Sequence, residues 1–491
     1  MNANRQAMAA RTAPFRQWVG AVRAVWQEIR ASDRRAVQLI AAGACLFTTA
    51  SIGLAYATEY AVVGWQLWVW LVSCVIVIVT LAPVSLRRVR LSAEGRALLM
   101  VMAVAFVLRV TLLETIPGGL HPDETGTAGF TLEHVYSLPD RTLNPFVVSP
   151  GSHPTLYHYV TRLFLTVIGH SITGVRFSSV LAGTLAIAAT YVCISVFQNR
   201  RTALIAAILM AAYHYHIHWS RIALNNVWDT LWIPLMIGAY GWGWKNNNST
   251  GAALSGAAVG FSQYFYQGGR AGLFVLAFVI LGLWWKDRDR RKLIVHVGKL
   301  VAVAAVIAAP LAMFAIKNPA TFTERFNTIF GWQPSVIQEI TGSPTDYWGF
   351  FWYQLWRSFG AYTAVVDITG FYRPEVPLTI GLAAPLLIVG FFWAIRKRQY
   401  VPALWLFIAT VLGGFMLSGA PSSSHYVLSI PAICWLIAIV IKALMDGGHP
   451  RWAIAVLLII VATDLVFYFG IYLQHPSGDL VHPFPVLPPR T

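Results

Sequence analysis

Long apolar runs dominate this chain. Thirteen of them, near residues 37–57, 61–82, 97–116, 172–197, 202–218, 225–244, 251–267, 271–285, 296–316, 376–395, 402–418, 426–445 and 452–473, are candidate membrane crossings. A helix needs about 20 predominantly apolar residues to span a bilayer, and inside lipid every backbone polar group must be paired within the structure. The expected fold is therefore an all-α polytopic membrane protein, a bundle of about 13 transmembrane helices with two larger outer-face loops. Composition agrees, with 57% hydrophobic and 11% charged residues, whereas soluble domains carry about 25% charged residues. A soluble enzyme, a disordered tail and a collagen-like fibre are excluded. No strand-rich stretch, internal repeat or separate soluble domain is evident.

The net charge of +16 would ordinarily raise nucleic acid as a partner. The positions of the charges argue against it. Arg87, Arg88, Arg90 and Arg96, then Arg200 and Arg201, Lys245, the cluster from Lys286 to Lys292, Arg396 to Arg398, and Lys442 with Arg451 all fall in alternate connections. With the arginines of residues 1–36 they make two-thirds of the 36 basic residues. All lie on one side if the N-terminus is cytoplasmic, as the positive-inside rule requires. The expected location is the cell (plasma) membrane, with no nucleic-acid partner.

The parts follow from this topology. Residues 1–36 form a cytoplasmic segment, in which Phe15, Trp18, Val22, Trp26 and Ile29 share a helical face opposite Arg16, Arg23 and Arg30. That pattern fits an amphipathic helix on an anionic leaflet, or alternatively a solvated basic tail. Residues 37–96 hold two additional spans. Residues 97–316 form a core whose first outer loop covers 117–171. Residues 317–375 are a second outer loop, with Lys317, Arg325, Arg357 and Arg373 balanced by acids and with aromatics concentrated at 347–362. Residues 376–473 carry the C-terminal spans, and 474–491 are a Pro-rich outer tail. Cys45, Cys74, Cys193 and Cys434 sit in apolar runs without metal-ligand spacing, so four free thiols are expected.

The candidate chemistry gathers at the outer ends of the core spans. Asp123 and Glu124 follow His121-Pro122 directly after a span. A carboxylate there can act as a general base, but Pro followed by two acids is also what a helix N-terminus prefers. His153 lies among aromatics in Ser152-His-Pro-Thr-Leu-Tyr-His-Tyr159. Arg176, Arg221 and Arg270 open or close three different spans at one membrane level. Each can bind a phosphate or serve as a snorkelling anchor. His214 and His218 are four apart, a zinc-ligand spacing, yet interfacial histidines among aromatics are ordinary. Tyr264-Phe-Tyr266-Gln-Gly-Gly-Arg270 ends one helix and begins another. A carboxylate beside several arginines suits the departure of a phosphate, because the leaving group needs no acid proton. Asp229 and Asp464 are further intramembrane acids, the first near the vestibule and the second suited to a helix–helix contact.

Across residues 97–290 the chain resembles membrane glycosyltransferases of the GT-C fold, and more closely the superfamily of protein O-mannosyltransferases and the lipid A aminoarabinose transferase. The carrying residues are Asp123-Glu124, His153-Pro154 ahead of Leu156-Tyr157, Arg176 in Val-Arg-Phe-Ser-Ser, His218-Trp-Ser-Arg221, and Tyr264 to Arg270. The resemblance implies inverting transfer of a sugar from a polyprenyl-phosphate donor to an acceptor hydroxyl or amine at the non-cytoplasmic face. It implies Asp123 as base with Glu124 beside it, and Arg176 near the donor phosphate. His153, His218, Arg221, Tyr266 and Arg270 are the further substrate-binding candidates. Aminoarabinose-type enzymes carry Glu-Lys-Pro-Pro where this chain has Ser152-His153-Pro154-Thr155. A phosphate-binding Lys is thus replaced by His153 and a metal-binding Glu by Ser152. No metal ligand is assigned, and a divalent metal stays open as a cofactor. Membrane lipids and an unidentified acceptor complete the expected partners. The rival readings are a transporter or lipid flippase, which should carry midplane charges in a repeat, and a non-catalytic subunit of the same fold.

Overall fold

The computed structural model describes residues 34–55, 60–61, 64–82, 92–136, 142–148, 153–367, 369, 371–372 and 375–472. Most of the basic N-terminal segment, Arg87, Arg88, Arg90, Ser152, Arg373 and the Pro-rich tail lie outside these residues.

The architecture is helical apart from one two-residue strand pair. Helices α1 (Arg34–Ala55), α2 (Trp65–Leu81) and α3 (Ala93–Val110) open the chain. The segment after α3 folds into α4 (Pro122–Thr131) and α5 (Leu156–Ile168). The core continues with α6 (Ile172–Phe197), α7 (Arg200–Ala212), α8 (His214–Trp219), α9 (Asp229–Lys245), α10 (Thr250–Ser262), α11 (Gly268–Asp287) and α12 (Arg290–Lys317). Three helices, α13 (Pro319–Ile329), α14 (Pro334–Thr341) and α15 (Tyr347–Gly360), follow α12. The chain ends with α16 (Ala383–Arg396), α17 (Tyr400–Thr410), α18 (Ser423–Tyr426), α19 (Ile430–Asp446) and α20 (Pro450–Val466). Each of the thirteen apolar runs holds a helix. Among the described residues six helices are long and apolar enough to cross a membrane: α1, α6, α11, α12, the continuous Ser423–Asp446, and Pro450–Ile471.

The boundaries differ from the apolar runs where polar backbone intervenes. The run at 61–82 begins instead with strand β1 (Tyr60–Ala61), which pairs antiparallel with β2 (Thr142–Leu143), and its helix starts at Trp65. The run at 202–218 breaks at Tyr213, whose extended backbone separates α7 from α8. Caps set other ends. Ser92, Ser171, Asn199 and Asp289 each accept a first-turn N–H, satisfying donors that the helix cannot pair itself.

The centre of the bundle is α6, α9, α10 and α12. In lipid the hydrophobic effect does not drive helices together, so close backbone approach must supply contact. At Gly256 of α10, an added β-carbon would stand 2.3 Å from the Leu300 carbonyl oxygen of α12. Arg109 is one of three fully buried arginines. It donates to the carbonyls of Ala105, Met210 and Ala211 at 3.0, 3.3 and 3.1 Å and meets His216 Nδ1 at 2.8 Å. Asp464 of α20 accepts the backbone N–H of His214, a structural helix contact. All four cysteines are buried and free. We predict that Gly256→Leu lowers stability by about 1–3 kcal/mol through forced separation of α10 and α12; a thermal melt in detergent at wild-type temperature counts against this packing.

Candidate active site

The start of α4 determines where Asp123 stands. His121 is the N-cap, its ring accepts the Asp123 N–H at 3.1 Å, and Glu124 Oε2 accepts the His121 N–H at 3.0 Å. Pro122 fits the first turn, where its missing N–H costs nothing. Glu124 turns inward, and Asp123 lines a cavity of about 360 Å³.

Glu124 is 1% exposed and Arg176 is fully buried. Arg176 Nε donates to Oε1 at 2.8 Å and Nη2 to Oε2 at 3.0 Å. The Ala223 N–H adds 2.7 Å to Oε1. The guanidinium spends its other hydrogens on the carbonyls of Leu113, Pro117 and Gly119 at 2.8, 3.1 and 2.5 Å. The pair thus ties α4, α6 and the loop after α3 together. Arg221 does similar work one layer away. It donates to the carbonyls of Leu108, Thr111, Leu112 and Ile116 at 2.5 to 3.2 Å, closing the C-terminal end of α3. Unpaired carbonyls at a buried helix end need donors, and the Arg fork supplies several.

The arginine ring expected at one membrane level is therefore used differently. Arg176 and Arg221 hold backbone, and Arg270 stacks on Phe322 of α13 at 4.3 Å. None of the three lines the cavity. His218 is also behind the wall. Its Nε2 meets the Phe371 carbonyl at 3.0 Å and its ring stacks on Tyr372 at 4.3 Å, while Phe371 itself lines the cavity. His214 Nδ1 instead faces the Tyr372 hydroxyl at 2.7 Å. The zinc spacing of these two histidines thus serves two separate contacts. Among the described residues no three His, Cys, Asp or Glu side chains converge as metal ligands.

The cavity brings together Asp123, His153 and Tyr266 from the sequence candidates. His153 and Tyr266 stack with their rings 6.4 Å apart and 17° from parallel. Burial pushes His153 down to about 4, the Arg325 charge adds to this, and Asp123 opposes it. Burial likewise holds His158 down at about 3. Arg325, Asn225, Asn226, Thr127, Tyr157 and Ser424 complete the polar wall. Sequence reasoning missed these. Arg325 counted only as a balancing charge of the second outer segment, and nothing local shows that α13 swings it against α4. The Asn225-Asn226 pair and the Ser422–Ser424 run did carry a signal, as polar clusters interrupting apolar stretches.

A family model of dolichyl-phosphate-mannose-protein mannosyltransferases matches residues 152–314, about a third of the chain. No curated protein matches it by sequence. Among solved structures, the archaeal oligosaccharyltransferase AglB from Archaeoglobus fulgidus superimposes with a TM-score of 0.52 at 14% identity, covering 79% of this chain and 56% of that one. The fold is that of the GT-C glycosyltransferases. The apo form of the Archaeoglobus fulgidus enzyme gives a TM-score of 0.50 at 16% identity, over 80% of this chain and 56% of that one. ArnT from Cupriavidus metallidurans gives 0.49 at 16% identity, over 79% and 74%. This GT-C chain thus spans 56% of the length of the archaeal enzyme. The resemblance read from the residues at 97–290 stands at the level of the fold, and the chain is a multi-pass membrane protein.

Two outcomes follow from this geometry. Breaking a buried ion pair by removing one partner costs about 3–5 kcal/mol. Glu124→Ala should therefore lower the melting temperature far more than Asp123→Ala; equal effects would refute the division of labour between the two acids. His153 binds its proton only near 4 in the folded state against 6.5 ordinarily. The unfolded chain takes up the proton first, so stability is full above 6.5 and is lost as pH falls toward 4. Melting curves between pH 7 and 4.5 should show a smaller acid loss in His153→Gln than in wild type.

Proposed function

We propose that this protein transfers a sugar from a polyprenyl-phosphate donor to an acceptor hydroxyl or amine at the non-cytoplasmic membrane face, with inversion at the anomeric carbon. The observation that carries this reading is one cavity holding an acid, Asp123, and a cation, Arg325, with neutral hydrogen-bonding groups between them. AglB was solved with a dolichol-phosphate, a protein O-mannosyltransferase complex with its sugar donor, and ArnT with undecaprenyl phosphate. A donor phosphate of the same kind suits Arg325. The alternate placement of basic clusters supports a cytoplasmic N-terminus and an outward cavity. Nucleotide sugars stay in the cytoplasm, so an outward site needs a lipid-carried donor.

In this mechanism the Asp123 carboxylate accepts the proton of the acceptor hydroxyl. The acceptor oxygen forms the new bond to the anomeric carbon as the bond from that carbon to the phosphate oxygen breaks. The electron pair leaves with the polyprenyl phosphate, whose charge Arg325 offsets in a site of low dielectric. Glu124 and Arg176 act as positioning residues by holding the turn from which Asp123 projects. His153 and Tyr266 contact the donor from the side. Arg221, His218 and Arg270 support the wall. No step runs through a metal.

The test uses purified protein in proteoliposomes with radiolabelled undecaprenyl-phosphate mannose and a membrane extract as acceptor source. Asp123→Asn should lower transfer by about 10²–10⁴-fold, the usual worth of a general base. Arg325→Ala should lower it by about 10²–10³-fold, as for loss of one charge-stabilising donor. Transfer unaffected by either substitution sinks the assignment. Vectorial movement of the lipid without transfer would favour a flippase, and binding without either would favour a non-catalytic subunit.

A further inference from the structure

Asn225 and Asn226 stand side by side in the short turn Asn225–Trp228 that leads into α9. They are 6% and 5% exposed, yet both line the cavity. Buried amides are costly unless their polar atoms are paired. Asn225 Nδ2 donates to the Phe265 carbonyl at 2.7 Å, and Asn226 Nδ2 donates to the Ser424 carbonyl at 3.0 Å. A carbonyl oxygen can only accept, so these two bonds dictate which end of each amide points into the wall. The oxygen end of each is then the end turned toward the cavity. The Asn226 amide N–H also donates toward the Tyr266 hydroxyl, which leaves the lone pairs of its Oδ1 for a ligand.

We propose that Asn225 and Asn226 are the sugar-recognition pair of this cavity, their Oδ1 atoms accepting hydrogen bonds from neighbouring hydroxyls of the donor sugar. The inference rests on the glycosyltransferase reading above and deepens it. Two adjacent acceptors match a polyol, which brings a hydrogen on every hydroxyl. They do not match a phosphate diester, which has no hydrogen to offer and carries negative charge. The cavity therefore divides its ligand: Arg325 takes the phosphate, and the asparagine pair takes the sugar. The pair also fixes the two walls that face it, because its N–H groups hold the backbone beside Tyr266 and that of Ser424.

The experiment compares two probes, undecaprenyl-phosphate mannose and sugar-free undecaprenyl phosphate, binding to the full-length protein in nanodiscs. Wild type should bind both. Asn225→Ala and Asn226→Ala should each weaken the sugar-bearing lipid by about tenfold, the order of one lost hydrogen bond, and change the sugar-free lipid by less than about twofold. Equal weakening of both lipids, including the case of a variant that does not fold, overturns the inference and makes the pair structural. Unchanged binding of the sugar-bearing lipid in both variants overturns it too. Wild type that binds neither lipid overturns the glycosyltransferase reading itself, an outcome distinct from either of these.

Discussion

The Glu124–Arg176 ion pair is the contact on which the site depends. Two fully desolvated charges are stable together only if every remaining hydrogen-bonding position is filled. Here they are filled by backbone: two N–H groups on the carboxylate and three carbonyls on the guanidinium. Those backbone groups come from α4, from the loop after α3 and from the turn after Arg221. The pair therefore draws three irregular segments to one point at the edge of the bundle. Irregular backbone at that depth is tolerated only where protein satisfies it.

A division of labour follows from this arrangement. Arg109, Arg176 and Arg221 are all buried, and all spend their hydrogens chiefly on carbonyl oxygens. Their rigid forks suit that work. Arg325 comes from a helix with no buried residue, α13, and reaches the cavity from the segment that follows α12. The structural cations are thus sequestered in the core. The cation that meets the cavity comes from a surface element. Neutral His153 and His158, the asparagine pair and Ser424 keep the space between Asp123 and Arg325 polar without adding charge.

Much of the fold was legible in the sequence. Apolar runs marked where helices lie, because a helix in lipid must be apolar along its length, and this pattern is local. Helix ends were less legible. The run at 97–116 passes Val110, where α3 stops, since side-chain hydropathy does not report that Thr111 to Ile116 turn away and are capped by a distant Arg221. Asp123, His153 and Tyr266, which line the cavity, were legible as candidates because each stands at a helix end beside Gly, Pro or aromatic residues. Arg325 was not found, because its relevance comes from packing across some two hundred residues of chain.

By itself, the sequence determined that the chain lives in a membrane, where its helices run, and which few polar groups sit at their ends. Those facts depend on hydropathy and spacing, which neighbouring residues carry. Only the tertiary structure decided which of those groups are structural and which share a space. Asp123 and Glu124 are adjacent in sequence and alike in chemistry, and nothing local distinguishes them. Successive residues on a helix point about 100° apart, so the turn that sends Glu124 into Arg176 sends Asp123 into the cavity.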